Sequence, residues 1–318
     1  MEMKILSKDI SEKDIDNTVT LSGWVNKRRD HGGIIFVDLR DHTGIVQIVF
    51  NPDNKDIFKE AEMLRSEFVI SVTGMITARS EDTINEDIPS GKIEVVADHL
   101  VILNNSETPP FMINDHNVSE DLKLQYRYID LRSRRLQNNL KFRSDLLKLI
   151  RDYFHENEFI DVETPILTKT TPEGARDYLV PSRLKKESFF ALPQSPQIFK
   201  QTLMIGGIEK YYQIARCFRD EDLRSDRQPE FTQLDVELAF ATEEKIIDLT
   251  EKLFHKIFKD IFSVNNVVFN KMTYEDAMDN YGCDKPDLRN PLKMISIKED
   301  IKDTKFKVFS DPANTQDG

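Results

Sequence analysis

The sequence has 318 residues, with 44 Lys and Arg against 56 Asp and Glu, and a formal net charge of −12. At roughly 100–200 residues per domain this length suggests two or three domains, and 39% hydrophobic residues exclude a chain disordered throughout. Cys217 and Cys283 stand in no metal-ligand spacing and histidine is sparse, which argues against a disulfide scaffold or a zinc module. No apolar run approaches the ~20 residues of a membrane span. The N-terminal segment Met1–Asp9 lacks the apolar stretch of a signal peptide, so no membrane partner and a cytoplasmic location are expected. An acidic total argues against non-specific coating of nucleic acid but leaves room for a local basic face.

The first hundred residues read as short strands. Val19–Val25, Ile34–Leu39, Ile45–Phe50, Phe68–Ile76 and Ile93–Leu103 are rich in β-branched and aromatic residues and separated by turn signals such as His31-Gly32-Gly33. Between the third and fourth lies Asn51–Ser66, where Ile57, Ala61 and Leu64 follow helical spacing. Five strands with one helix in that place is the order of an OB-fold barrel, although a small sandwich would give similar runs. Residues 104–123 lack periodicity and carry Pro109-Pro110, a linker signature. A basic stretch follows, from Lys123 through Arg127, Arg132, Arg134, Arg135, Lys141, Arg143 and Lys148 to Arg151.

Phe142, Leu146, Leu149, Ile150 and Tyr153 mark one stripe of an amphipathic helix, which leads into a short strand, Phe159–Thr164, stopped by Pro165. A second helix is predicted over Glu243–Phe262. Thr242 is its N-cap, and Ile246, Ile247, Leu253, Phe254, Ile257, Phe258 and Ile261 form its buried face. Tyr211–Phe218 and Phe231–Phe240 are the best strand pair. With few βαβ intervals, the second part reads as an α+β domain on an antiparallel sheet. The pattern changes again after residue 285, and no internal repeat is present.

Two constellations carry chemistry. In the second barrel strand Ile35, Val37 and Leu39 share one face, leaving Phe36 and Asp38 on the other. An exposed aromatic there stacks a base, the amide of Gln47 on the next strand reads a base edge, and Lys27, Arg28 and Arg29 offer phosphate partners. Each residue alone is better explained by packing; together on an OB barrel they favour single-stranded nucleic acid. The second constellation runs from Thr171–Asp177 through Gln194–Lys200 to Arg216–Glu237. Charged side chains on predicted strands are costly unless they line a site or pair with one another. Lys200 and Arg219 with several carboxylates suit a zwitterionic amino acid and a nucleotide phosphate, and an ordinary salt-bridge network is the alternative.

Gly23-Trp24-Val25, Arg28-Arg29-Asp30, Gln125–Arg132, Thr171–Asp177, Gln194–Lys200 and Phe218–Gln233 resemble, over essentially the whole chain, the N-terminal part of bacterial-type aspartyl-tRNA synthetases of class II. The resemblance implies an anticodon-binding OB domain (1–105), a hinge (106–135), the first half of a class II catalytic domain (136–284) and the start of an insertion domain (285–318). Pro165 would lie in the first class II motif, at a homodimer interface, and Arg216–Glu237 would be the second motif. Glu173, Ser195, Gln197 and Asp235 would hold the α-ammonium of L-aspartate, and Lys200 its side-chain carboxylate. Arg219 would grip the α-phosphate and reacting carboxylate as the catalytic residue. Asp220, Glu221 and Gln228 would contact ATP, and Phe231 would lie under the adenine. Arg28, His31, Phe36 and Gln47 would meet the anticodon of tRNA-Asp. His31 in place of a leucine is associated in this family with charging tRNA-Asn as well.

A Gly-rich third motif is not found downstream of the second. The ligands for Mg2+ accompanying ATP are expected beyond Gly318, with none in this chain, so the 318 residues alone are expected to be inactive and poorly soluble. A synthetase for Asn or Lys, and a non-catalytic tRNA-binding module, are the rival readings.

Overall fold

The computed structural model describes residues 5–113, 115 and 117–315. Residues 1–4 and 316–318, used above in reading the two ends of the chain, lie outside that range. The chain divides into two compact units, Met1–Lys141 and Phe142–Gly318.

In the first unit β1 (Thr18–His31), β2 (Ile34–Arg40), β3 (Ile45–Phe50), β4 (Val69–Ala78) and β5 (Ile93–Asn104) close a barrel in the order β1-β2-β3-β5-β4. Four of its seams are antiparallel. The closing β3–β5 seam is parallel and short, pairing Ile48 with Val95 and Val49 with Val96. Closure decides between barrel and sandwich. Alternation along β2 buries Ile35, Val37 and Leu39 completely or nearly so and leaves Phe36 and Asp38 half-buried outside, as the period of two predicts. Each large aliphatic side chain so buried contributes about 1.5–3 kcal/mol. Helix α1 (Lys55–Glu62) covers the barrel through Ile57 and Ala61, with Leu64 buried just beyond its end. Its N-terminal turns are shorter than the sequence suggested, because Asn51–Asn54 forms a turn instead. At Gly74 any Cβ would run into the Val96 carbonyl, so close approach of β4 and β5 requires glycine there.

Short helices α2 (Glu120–Gln125) and α3 (Arg127–Asp130) follow the linker, and the long helix α4 (Arg134–Glu156) begins two turns before its apolar stripe. Much of the basic stretch is paired. Arg127 meets Asp130 at 2.6 Å, and Arg132 pairs with Glu67, which Arg40 also grips bidentately at 2.8 and 2.9 Å. Arg132 also lies over the Trp24 ring, 5.5 Å from its centroid.

The second unit has a three-stranded sheet in the order β10-β9-β6. Its strands are β6 (Ile160–Asp161), β9 (Lys210–Phe218) and β10 (Glu230–Leu238). Strand β6 is shorter than predicted and runs parallel to β9, whereas β9 and β10 are antiparallel from Lys210↔Leu238 to Phe218↔Glu230. Between β6 and β9 in sequence come the hairpin of β7 (Leu179–Pro181) and β8 (Phe189–Ala191) and helix α5 (Gln197–Ile205). Helix α6 (Glu243–Phe262) has the predicted bounds, and Thr242 caps it by accepting a hydrogen bond from Lys245 N–H. The core joins Leu149, Ile150, Tyr153 and Phe154 of α4 to Phe159, Tyr212 and Leu253, with the Phe154 and Tyr212 rings stacked at 4.9 Å. Two positions expected to be buried on α6, Ile246 and Phe254, are 40% and 44% exposed because they border an open groove with α4 and β10. Helices α7 (Tyr274–Tyr281), α8 (Lys298–Ile301) and α9 (Lys307–Ala313) complete the unit.

Candidate active site

The β9–β10 pair builds the site by parity. Tyr211, Gln213, Ala215 and Cys217 of β9 stand opposite Glu237, Asp235, Gln233 and Phe231 of β10, all on one face. Tyr212, Ile214, Val236 and Leu238 occupy the other face and enter the core. The polar row is therefore held from behind by packed apolar side chains.

Lys200, projecting from α5, bridges that row. Its ammonium lies 2.8 Å from Asp235 Oδ1 and 3.3 Å from Glu237 Oε2, and both Lys200 and Asp235 side chains are only 12% exposed. Burial alone would lower the lysine pKa, but the hydrogen bond and charge of Asp235, with Glu237 behind it, outweigh that and raise it. Nearby, Ser195 Oγ donates to Glu173 Oε2 at 2.8 Å and accepts from Gln197 N–H at 3.3 Å. The loop carrying Glu173 is fixed by Gln194, whose fully buried amide accepts from Ala175 N–H, donates to Ala175 O and donates to Asp177. Gly174, at φ +84°, lets the chain turn there. Sequence reasoning gave Gln194 no role; a buried amide is visible only once its backbone partners are placed.

At the other end of the row, about 13 Å along the strand at ~3.3 Å per residue, the Arg219 guanidinium lies over the Phe231 ring, 5.1 Å from its centroid. Both line a cleft of about 420 Å³ with Glu221, Asp222, Arg227 and Gln228. Asp220 donates its backbone N–H to Arg176 O at 3.0 Å, tying the Arg219 loop to the Glu173 loop. Of the five buried side-chain atoms without a hydrogen-bond partner among the described residues, three belong to this site, Glu173 Oε1, Asp235 Oδ2 and Arg219 Nε, and the others are the hydroxyls of Ser66 and Ser133. Such orphans are rare in folded proteins and concentrate where a ligand completes the bonding. Burial pushes the Cys217 thiol up to about 11, which removes it as a nucleophile near neutral pH. Pro165 is exposed just beyond β6, beside Ile166 and Leu167 at 46% and 54% exposure. Among the described residues no group of three or more His, Cys, Asp or Glu side chains could hold a metal, and no helix is long and apolar enough to cross a membrane.

On the barrel, Gln47 accepts from Arg29 at 3.1 Å and donates to Glu94 at 2.8 Å, and Arg29 also pairs with Asp38. Arg79 closes this row 4.0 Å from Glu94. Phe36 sits beside it, opposite Arg29 in the register. Alternation had placed Asp38 on the Phe36 face without giving it a role, and Arg79 and Glu94 had not been singled out: Arg79 directly follows β4 and Glu94 lies on β5, both far along the sequence. Arg28 instead turns to α1, donating from Nε to Ala61 O at 3.1 Å. His31 is exposed at the end of β1, where Gly32 and Gly33 make the hairpin turn with φ of 64° and 82°.

The profile described as tRNA synthetases class II (D, K and N) matches residues 119–310, and that of an OB-fold nucleic acid binding domain matches residues 19–103. The chain belongs to the class II tRNA synthetases of the D, K and N group. Among relatives of this synthetase, the aspartate–tRNA(Asp/Asn) ligases of Legionella pneumophila strains Corby and Paris are 54% identical over 311 residues, covering 97% of this chain and 52% of theirs. The chain thus spans about half the length of the curated relatives it matches. The asparaginyl-tRNA synthetase of Pyrococcus horikoshii, solved with asparaginyl-adenylate, is 26% identical with a TM-score of 0.73, covering 83% of this chain and 59% of that one.

Proposed function

We propose that the chain carries the anticodon-reading and amino-acid-activating parts of an aspartate–tRNA ligase that charges both tRNA-Asp and tRNA-Asn. The observation that carries this reading is the lysine–carboxylate site with its orphaned atoms. Glu173 Oε1 and Asp235 Oδ2 are free to accept from an α-ammonium, while Lys200 offers a cation to a side-chain carboxylate. A cation at that position favours aspartate over lysine or uncharged asparagine.

In the first step an oxygen of the aspartate α-carboxylate attacks the α-phosphorus of ATP, and pyrophosphate leaves with the electrons of the broken P–O bond. Arg219, stacked on Phe231 at the mouth of the cleft, supplies a fixed positive charge where negative charge builds on the phosphorus oxygens. The adenine would lie against the other face of Phe231, with Asp220, Glu221 and Gln228 reaching the nucleotide. Magnesium would arrive bound to the ATP phosphates and screen their charge. The remaining contribution is positioning: Gln194 holds the Glu173 loop and α5 presents Lys200. In the second step the terminal tRNA hydroxyl displaces AMP from the adenylate.

Phe36 and the Arg29–Gln47–Glu94 row provide a stacking surface and fixed donors for the anticodon, with His31 at the adjacent turn and Arg28 steadied by α1. The names of the Legionella relatives support tRNA-Asn as a second substrate. Residues 1–105 would be the anticodon domain, 106–135 the hinge, 136–284 the first half of the catalytic domain and 285–318 the start of an insertion. Pro165 and its exposed neighbours would meet a second copy of the protein. In the full-length protein, ATP–pyrophosphate exchange should depend on L-aspartate and not on L-asparagine or L-lysine, and both tRNAs should accept aspartate. Exchange driven by another amino acid would overturn the assignment.

A further inference from the structure

Behind Asp235 stands a buried polar relay that the activation chemistry does not use. Gln213 is directly opposite Asp235 in the β9–β10 register, and Tyr211 is opposite Glu237 on the same face. Tyr211 is fully buried and Gln213 is 8% exposed. The Gln213 amide lies between groups that fix which way it points. Its nitrogen is 3.2 Å from the Val162 carbonyl, which can only accept, and its oxygen is 3.3 Å from Thr164 N–H, which can only donate. In that orientation the amide nitrogen also donates to the Tyr211 oxygen, 2.8 Å away. The Tyr211 oxygen is then an acceptor, and its own proton is available toward the carboxylates of the row.

Asp235 is the group on the receiving side. Its Oδ1 is taken by Lys200 at 2.8 Å, and its Oδ2 is buried without a partner. Burial, followed by the negative charge of Asp235 close by, raises the Tyr211 phenol, so it stays protonated and a donor through the neutral range. A carboxylate oxygen has two lone pairs, so a donor from Tyr211 and a substrate ammonium can share Oδ2.

We propose that Tyr211, oriented by Gln213 and the Val162–Thr164 backbone, is a positioning residue for amino-acid selection: it fixes the Asp235 carboxylate, and Asp235 in turn holds Lys200 where a substrate carboxylate is read. Tyr211 touches no substrate. The relay starts at Thr164, the residue before Pro165, whose N–H meets the Gln213 amide, so the segment after β6 is joined through Gln213 to Tyr211. This proposal deepens the aspartate reading and rests on it.

The test is steady-state ATP–pyrophosphate exchange by the full-length protein, with Tyr211→Phe and Gln213→Met as near-isosteric variants. The loss of one hydrogen bond to a charged group corresponds to about tenfold. Tyr211→Phe should raise the KM for L-aspartate about tenfold, leave the KM for ATP unchanged, and narrow the preference for L-aspartate over L-asparagine. Gln213→Met should do the same more weakly. A purely structural role would move both KM values together or lower only the melting temperature, and either result overturns the proposal. So does an aspartate KM within twofold of wild type in a folded Tyr211→Phe protein. Should that variant not fold, Gln213→Met alone must show the aspartate-selective rise, and its absence overturns the relay. A wild-type protein without aspartate-dependent exchange instead overturns the reading of the site, and the relay with it.

Discussion

Lys200 is held by two carboxylates before any substrate arrives, and a substrate carboxylate must share it with them. Lys200→Met leaves Asp235 buried without its cation, a change worth about 3 kcal/mol or ~100-fold. Aspartate-dependent exchange in the full-length protein should fall by that factor with the KM for ATP unchanged. The barrel offers a pH-sensitive counterpart. Asp41 accepts from Ser7 N–H and Thr43 N–H, both at 2.7 Å, and from Gly44 N–H at 3.0 Å, tying the N-terminal segment to the β2–β3 turn. Burial alone would raise its carboxyl, but the hydrogen bonds from Thr43 and Ser7 outweigh it and hold it below the ordinary 3.8. A depressed carboxyl stabilises the fold above its unfolded pKa, and that stability is lost as pH falls through the folded value. Asp41→Asn should therefore cost about 1–2 kcal/mol in urea unfolding at pH 7. The gap to wild type should narrow below pH 3.8. At this scale the sequence disclosed residue types but not their partners. Lys200, Arg219 and Asp235 could be picked out as costly charges on strands, whereas Gln194 and Glu94 could not, because their partners lie 19 and 47 positions away.

Among the elements, α6 was legible to the residue because its signals are local: a threonine cap, acids in the first turn and an unbroken apolar stripe. Thr242→Ala should cost about 1 kcal/mol, read as a lower urea midpoint with an unchanged slope. The predicted burial of Ile246 and Phe254 failed for a physical reason. Periodicity says which residues share a face, but not whether another element covers it, and in this chain the groove between α4, β10 and α6 is open. Helix α4 shows the converse: its first two turns, Arg134 to Lys141, set only Leu136 and Leu140 among cations and amides, too few apolar positions for hydrophobic spacing to extend the helix back from Phe142. Strand β6 was overextended because pairing with β9 ends once Val162 N–H has reached the Tyr212 carbonyl, after which the Val162 carbonyl and Thr164 N–H turn to the Gln213 side chain.

For the molecule as a whole, the OB order of five strands and a helix was readable in the first hundred residues because each strand is short and punctuated. What the sequence left open was closure, which depends on two residue pairs between β3 and β5, some 47 positions apart. Among the described residues the barrel core draws on positions from Ile10 to Ile102. Residues 1–113 should therefore unfold cooperatively as an isolated fragment. They should also bind an anticodon stem-loop with an affinity that falls steeply as salt rises, measured by circular dichroism and by titration at 50 and 200 mM salt. A fragment without a cooperative transition would show that the core needs the hinge, where Arg132 meets Glu67.

The division of labour along β9 has a consequence for how this protein can change over generations. Odd-numbered positions from Tyr211 to Cys217 look into the site, and even-numbered ones, with Tyr212 stacked on Phe154, look into the core. Substitutions at alternate residues of one short strand thus fall under two separate kinds of selection. A lineage could drift from one amino-acid substrate toward another by altering every second letter of this segment, while the letters between stay fixed by the need to fold.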